Sequence, residues 1–120
     1  MTGVPKDSDE RPWGGYTVLA DLTNGEAPVA VKILTVSPGQ RLSLQTHALR
    51  REEWTALNPG LRAIIGDDDI ELVPFLTYSI ALRTPHRVMN TGDAEGRVLE
   101  VLFGEYREDD IVRLDDDYNR

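Results

Sequence analysis

From Tyr16 onward the chain reads as short alternating or β-branched runs interrupted at close intervals by turn residues. This is the pattern of antiparallel strands that build a sandwich or a barrel. It predicts nine strands: Tyr16–Leu22, Val29–Ser37, Arg41–His47, Glu53–Leu57, Leu61–Ile65, Ile70–Val73, Tyr78–Leu82, His86–Asn90 and Arg97–Phe103. The breaks at Asn24-Gly25, Pro38-Gly39, Asn58-Pro59-Gly60, Gly66 with Asp67–Asp69, and Thr91-Gly92-Asp93 supply a positive φ, a fixed φ or local side-chain hydrogen bonds. No segment carries sustained helical periodicity with caps, and Glu105–Asp110 amounts to one polar turn. Met1–Glu10 is polar and mixed in charge, so a flexible N-terminal segment is expected at 1–10 and one all-β domain at 11–120.

Within Arg41–His47, alternation puts Leu42, Leu44 and Thr46 on one face and Ser43, Gln45 and His47 on the other. Gln45 and His47 therefore point the same way, into solvent or into a polar cavity. A second histidine, His86, opens another predicted strand, and Glu52 and Glu53 follow the turn after His47. Two histidines from different strands with one nearby carboxylate suit a divalent transition metal. The bland alternative is two unrelated histidines, one on the surface and one making a structural hydrogen bond.

Composition narrows the classes. The 120 residues contain no cysteine, which removes disulfide scaffolds, Cys-zinc sites and thiol catalysis, and only two histidines. With 21 Asp and Glu against 13 Lys and Arg, the net charge of -8 argues against nucleic acid as a partner. An anionic ligand would need a local cluster of cations. The start lacks a basic stretch followed by an apolar run, and no apolar stretch approaches the ~20 residues that span a bilayer. The expectation is a cytoplasmic protein without a membrane partner. Trp13 and Trp54 read as packing residues, and Asp67–Asp69 as a hairpin turn without the spaced ligands calcium requires.

Five ordered motifs carry a resemblance. Pro38-Gly39-Gln40-Arg41-Leu42-Ser43-Leu44-Gln45-Thr46-His47 followed by Arg51-Glu52-Glu53-Trp54 resembles the first cupin motif of type II mannose-6-phosphate isomerases in its Gln-first form. Arg11-Pro12-Trp13-Gly14 with Tyr16 is similar to that family's opening signature, and Val31-Lys32 to its Val-Lys strand. His86-Arg87 with Asn90 resembles the second cupin motif. Gly104-Glu105-Tyr106, Asp109-Asp110-Ile111-Val112-Arg113 and Asp116-Asp117-Tyr118-Asn119-Arg120 resemble its C-terminal ending.

The resemblance implies a cupin double-stranded β-helix, a single jelly-roll barrel; a stand-alone cupin domain is expected, a departure from the family's frequent fusion to a nucleotidyltransferase domain. It implies one divalent transition metal (Zn, Mn, Fe or Co) held by Gln45, His47, Glu52 and His86, choosing Glu52 over Glu53. The activity implied is aldose–ketose isomerisation of a sugar phosphate, with mannose 6-phosphate as the usual substrate. Both histidines are then committed to the metal, so the expected base is a carboxylate such as Glu53, Lys32 with a lowered pKa, or metal-bound hydroxide; Glu53, Lys32 and Arg113, which would orient the substrate, are the expected catalytic groups. Arg11, Lys32, Arg41 and Arg113 are the expected substrate-binding cations. Ala48-Leu49 and Glu53 stand where the family usually has further histidines. They motivate the alternative of a metal-containing cupin that binds a sugar or small acid without turnover. A homodimer through exposed sheet edges is a further expectation.

Overall fold

The computed structural model describes residues 7–105 and 107–118; Met1–Lys6, Tyr106, Asn119 and Arg120, with the parts of the expected N-terminal segment and C-terminal motif they carry, lie outside the described residues. Eleven strands follow one another: β1 (Asp7–Arg11), β2 (Gly14–Asp21), β3 (Val29–Val36), β4 (Leu44–Thr46), β5 (Arg50–Ala56), β6 (Leu61–Ile65), β7 (Asp68–Glu71), β8 (Thr77–Ile80), β9 (His86–Asn90), β10 (Gly96–Gly104) and β11 (Val112–Asp115). A 3-10 turn at Glu108–Asp110 precedes β11. Two antiparallel sheets of order β1-β2-β3-β10-β5-β8 and β11-β4-β9-β6-β7 face each other, the all-β double sheet of a cupin jelly roll.

Alternation decides the inward faces. On β3, Ala30, Lys32, Leu34 and Val36 are buried; on β5, Arg50, Glu52, Trp54 and Ala56; on β10, Gly96, Val98, Glu100 and Leu102. Leu34, Val36, Trp54, Ala56 and Val98 of this set join Leu61, Ala63, Leu72, Ile80 and Val88 in one core. Trp13 and Trp54 are both part of it, as expected of packing residues. Gly96 is required there: a Cβ would stand 2.4 Å from Leu61 Cδ2. Gly66, at φ 63, turns the two-residue connection between β6 and β7.

Two strands have no counterpart in the sequence-based expectation. Asp7–Arg11 forms β1, paired from Asp7↔Val18 to Arg11↔Gly14. Its residues 8–10 are exposed, so it forms through backbone pairing on an edge and leaves no hydrophobic signature. The same holds for β11, which is exposed throughout and pairs with β4. The predicted strand at Arg41–His47 contracts to Leu44–Thr46, with Arg41 reduced to a single bridge to Met89. Among the described residues no helix is long and apolar enough to cross a membrane.

Candidate metal centre and cavity

Strand alternation on β5 sends Glu52 into the barrel, while the turn after β4 and the first residue of β9 bring His47 and His86 to the same place. The three side chains are almost wholly buried. Their ligand atoms lie within 4.8 Å of one another. Glu52 Oε1 is 3.2 Å from His86 Nε2, and Oε2 is 3.5 Å from His47 Nε2.

The ring tautomers follow from their partners. His47 Nδ1 lies 3.1 Å from the carbonyl oxygen of Arg50, and His86 Nδ1 lies 2.7 Å from that of Thr84. A carbonyl only accepts, so each Nδ1 carries a hydrogen and donates it. Each neutral imidazole then presents an Nε2 lone pair, and the two Nε2 atoms face each other at 3.0 Å. Two lone pairs at that distance repel unless a proton or a metal ion lies between them. With both imidazoles neutral, the buried Glu52 Oε1 faces the His86 Nε2 lone pair rather than a hydrogen, and gains a hydrogen bond there only if Nε2 is protonated. The donor set therefore fits a divalent transition metal: two oriented imidazoles and a carboxylate with an oxygen to spare.

The electrostatics agree with a site built for positive charge. Burial opposes the ionised form of Glu52, but its contacts with His47 and His86 outweigh that and hold it well below the usual carboxylate range. Burial likewise disfavours a charged His86, yet the hydrogen bond and charge of Glu52 win and raise its pKa.

Gln45 is the cross-strand partner of His86 and of Arg113, so β4 places it between the cluster and the C-terminal strand. It lines a cavity together with Arg11, Lys32, Arg50, Glu52, Glu100 and Arg113. Trp13, Tyr16, Leu34, Leu42, Ser43 and Ile111 complete the wall. The position of Arg113 depends on how β11 is tied down. Asp110 accepts hydrogen bonds from the Ala48 and Leu49 amides, Arg87 Nη1 donates to Asp115 at 3.0 Å, and the Tyr118 hydroxyl donates to the Arg41 carbonyl at 2.8 Å.

Two expected residues are not brought to the site. Glu53 sits on the opposite face of β5 from Glu52, paired with Arg51 at 3.2 Å; successive strand residues alternate faces, so it cannot act in the cavity. Arg41 is outside the cavity wall, and its Nε and Nη2 donate to both Asp117 oxygens at 2.7 and 2.9 Å. Arg11 reaches the wall while pairing with Asp9 and lying over the Tyr16 ring. Lys32 is buried in the wall, its Nζ 4.9 Å from the Tyr16 ring centre.

Two further residues belong to the site. Arg50 is 4% exposed, with its Nε 3.5 Å from Glu52 Oε2. Glu100 stands in register with Lys32 on one side and Trp54 on the other, and accepts a hydrogen bond from Trp54 Nε1 at 3.0 Å. Burial, followed by the charge of Glu52, pushes its pKa up to about 7. Both were detectable as charged residues on the inward face of an alternating strand.

Comparison with known proteins extends the picture. The family described as "Mannose-6-phosphate isomerase C-terminal" matches residues 6–116. The chain is 38% identical over 111 residues to the xanthan biosynthesis protein XanB of Xanthomonas campestris, covering 92% of this chain and 23% of XanB. It is 37% identical over 111 residues to the alginate biosynthesis protein AlgA of Pseudomonas aeruginosa, covering 92% and 22%. The chain thus spans about a quarter of the length of these curated relatives. In structure it is similar to the capsular polysaccharide assembling protein CapF of Staphylococcus aureus, with a TM-score of 0.79 at 15% identity over 94% of this chain and 33% of CapF.

Proposed function

We propose that this chain, which belongs to the mannose-6-phosphate isomerase C-terminal family, carries a metal-dependent aldose–ketose isomerase centre for a sugar phosphate, with mannose 6-phosphate as substrate. One observation carries the reading: the His47–Glu52–His86 cluster adjoins, through Glu52, a cavity whose wall holds Arg11, Lys32, Arg50 and Arg113. Four cations on one cavity in a chain of net charge -8 form a local site for a phosphate dianion. His47, Glu52, His86 and the Gln45 amide oxygen are the residues that would hold the ion. When bound, a divalent cation there supplies Lewis-acid stabilisation of oxyanion charge on neighbouring carbonyl and hydroxyl oxygens.

The chain's own residues do the rest. Arg11 and Arg113, at the ends of β1 and within β11, bind and orient the phosphate. Lys32 and Arg50, buried deeper, balance the negative charge that develops when a proton leaves carbon. Leu34, Leu42 and Ile111 form the apolar part of the wall, which limits water around the reacting carbons. With Glu53 on the outer face, proton transfer falls to a group inside the cavity.

The test is to incubate metal-loaded protein with mannose 6-phosphate in deuterated water and follow C2 by NMR. Loss of the C2 proton signal together with appearance of fructose 6-phosphate is expected. Saturable binding without exchange or product would replace this reading by that of a binding cupin.

A further inference from the structure

We propose that Glu100 is the proton-transfer group of this site, taking a proton from the substrate carbon beside the carbonyl and returning it to the neighbouring carbon. The inference rests on the isomerase reading above and adds the residue that performs its central step.

Position is the first ground. β10 holds Glu100 on the inward face between Val98 and Leu102, and it lines the cavity with Glu52. Its direct cross-strand neighbour on β5 is Trp54, two residues from Glu52 on the same face. A carboxyl on β10 and a metal ligand on β5 are thus diagonal neighbours, close enough to act on adjacent atoms of one small substrate. Orientation is the second ground. Trp54 Nε1 donates to Glu100 Oε2, and the same indole packs edge-on against His86 with ring centres 5.4 Å apart. One side chain therefore fixes the carboxyl relative to the metal cluster.

Elimination is the third. Among the carboxylates of the cavity wall, Glu52 belongs to the metal cluster and Glu100 does not. Lys32 Nζ is held 4.9 Å from the Tyr16 ring centre, and its strand position is directly opposite Glu100 in the β3–β10 register. Lys32 from β3, Glu52 and Arg50 from β5, and His86 from β9 are the charged or titratable groups facing Glu100.

The step balances without a redox partner. The Glu100 carboxylate takes the C2 proton; the C2–H pair becomes the C1=C2 bond, and the carbonyl π pair moves to O1. The O2 hydroxyl proton passes to O1. The protonated Glu100 then delivers its proton to C1 as C2=O forms, which yields the ketose.

Glu100→Gln keeps an oxygen that can accept from Trp54, so it removes the proton-transfer group with little change in shape. It is expected to retain metal content and to bind mannose 6-phosphate within about threefold of wild type by calorimetry, while C2 exchange falls at least about 100-fold. Glu100→Asp is expected to recover part of the exchange, and near-UV circular dichroism reports whether either variant has lost its fold. Wild-type exchange persisting at full rate in folded Glu100→Gln would overturn the proposal. Exchange lost in Lys32→Met but kept in Glu100→Gln would move the role to Lys32. Neither exchange nor fructose 6-phosphate in metal-loaded wild type would overturn the isomerase reading itself, and Glu100's role with it.

Discussion

At one end of the barrel interior Val36, Ala56, Leu61, Val88 and Val98 are sealed from solvent by one another. Two to four residues away along strands of the same barrel stand Lys32, Glu52, His86 and Glu100, also buried but polar. Sheet register aligns the change: Val98 lies opposite Leu34 and Ala56, and Glu100 lies opposite Lys32 and Trp54. The apolar end stabilises the fold, each buried aliphatic side chain contributing about 1.5–3 kcal/mol. The polar end costs stability, because buried charges and facing lone pairs are tolerated only when paired or occupied. The difference separates folding from function within a single set of strands. It predicts that lesions at the two ends will have different phenotypes.

The largest effect belongs to the polar end. His47→Ala or His86→Ala removes one of two converging imidazoles and is expected to lower affinity for a divalent transition metal by at least about 100-fold. Thermal stability without metal should fall, since the buried Glu52 carboxylate loses one of the two imidazoles that hold it ionised. Metal analysis of purified protein and melting with and without added ion check both parts. Retained stoichiometric metal in either variant would break the assignment of the cluster.

The mirror experiment is Leu61→Ala at the apolar end. Leu61 is fully buried against Gly96, so truncation leaves a cavity and is expected to cost about 2–5 kcal/mol by urea denaturation. Metal stoichiometry in the remaining folded protein should be unchanged. If metal affinity fell in proportion to stability, the two ends would not be separable.

Proton linkage sharpens the contrast further. In metal-free protein Glu100 has its pKa raised to about 7, and that of His86 is raised as well. For both, the folded state holds a proton that the unfolded chain has released, so stability falls as pH rises from about 5 to 8. Glu52, depressed, acts in the opposite sense and loses its contribution only as pH falls through the ordinary carboxylate range. A decline on the order of 2 kcal/mol between pH 5 and 8 is expected from denaturation curves. Saturating metal should reverse the slope, because binding requires both Nε2 atoms free of protons.

The apolar end was legible in the sequence because packing imposes alternation. The predicted strands Leu61–Ile65 and His86–Asn90 match β6 and β9, and the other buried strands shift by a few residues at their ends. The edges β1 and β11 were not legible: their side chains face solvent, and backbone pairing leaves no trace in residue type. At the polar end, the likeness to cupin motifs located His47, Glu52 and His86, which the fold brings together. It did not supply Arg50 or Glu100, whose significance appears once neighbouring strands set their register. A charged residue at an inward position of a strand was the available signal; Lys32 was recognised through its motif, and the other two were not.

The smallest effects should come from charges that sequence proximity placed at the site and the fold places outside it. Glu53 pairs with Arg51 at a side-chain exposure of 34% and 48%, respectively, and Arg41 pairs with Asp117 at 41% and 38%. Partly exposed pairs of this kind contribute about 0–1 kcal/mol. Glu53→Gln is therefore expected to shift stability by no more than about 0.5 kcal/mol and to leave both metal content and C2 exchange at wild-type levels. Arg41→Ala should behave likewise towards phosphate, with a somewhat larger stability change because Arg41 also helps to hold the C-terminal segment through Asp117. Glu53 is the sharper probe, being one residue from Glu52 in sequence and on the opposite side of the sheet. A large loss of exchange in Glu53→Gln, with metal and fold intact, would mean that β5 presents its other face to the substrate, and the division between an apolar and a polar interior would then have to be redrawn around the opposite set of side chains.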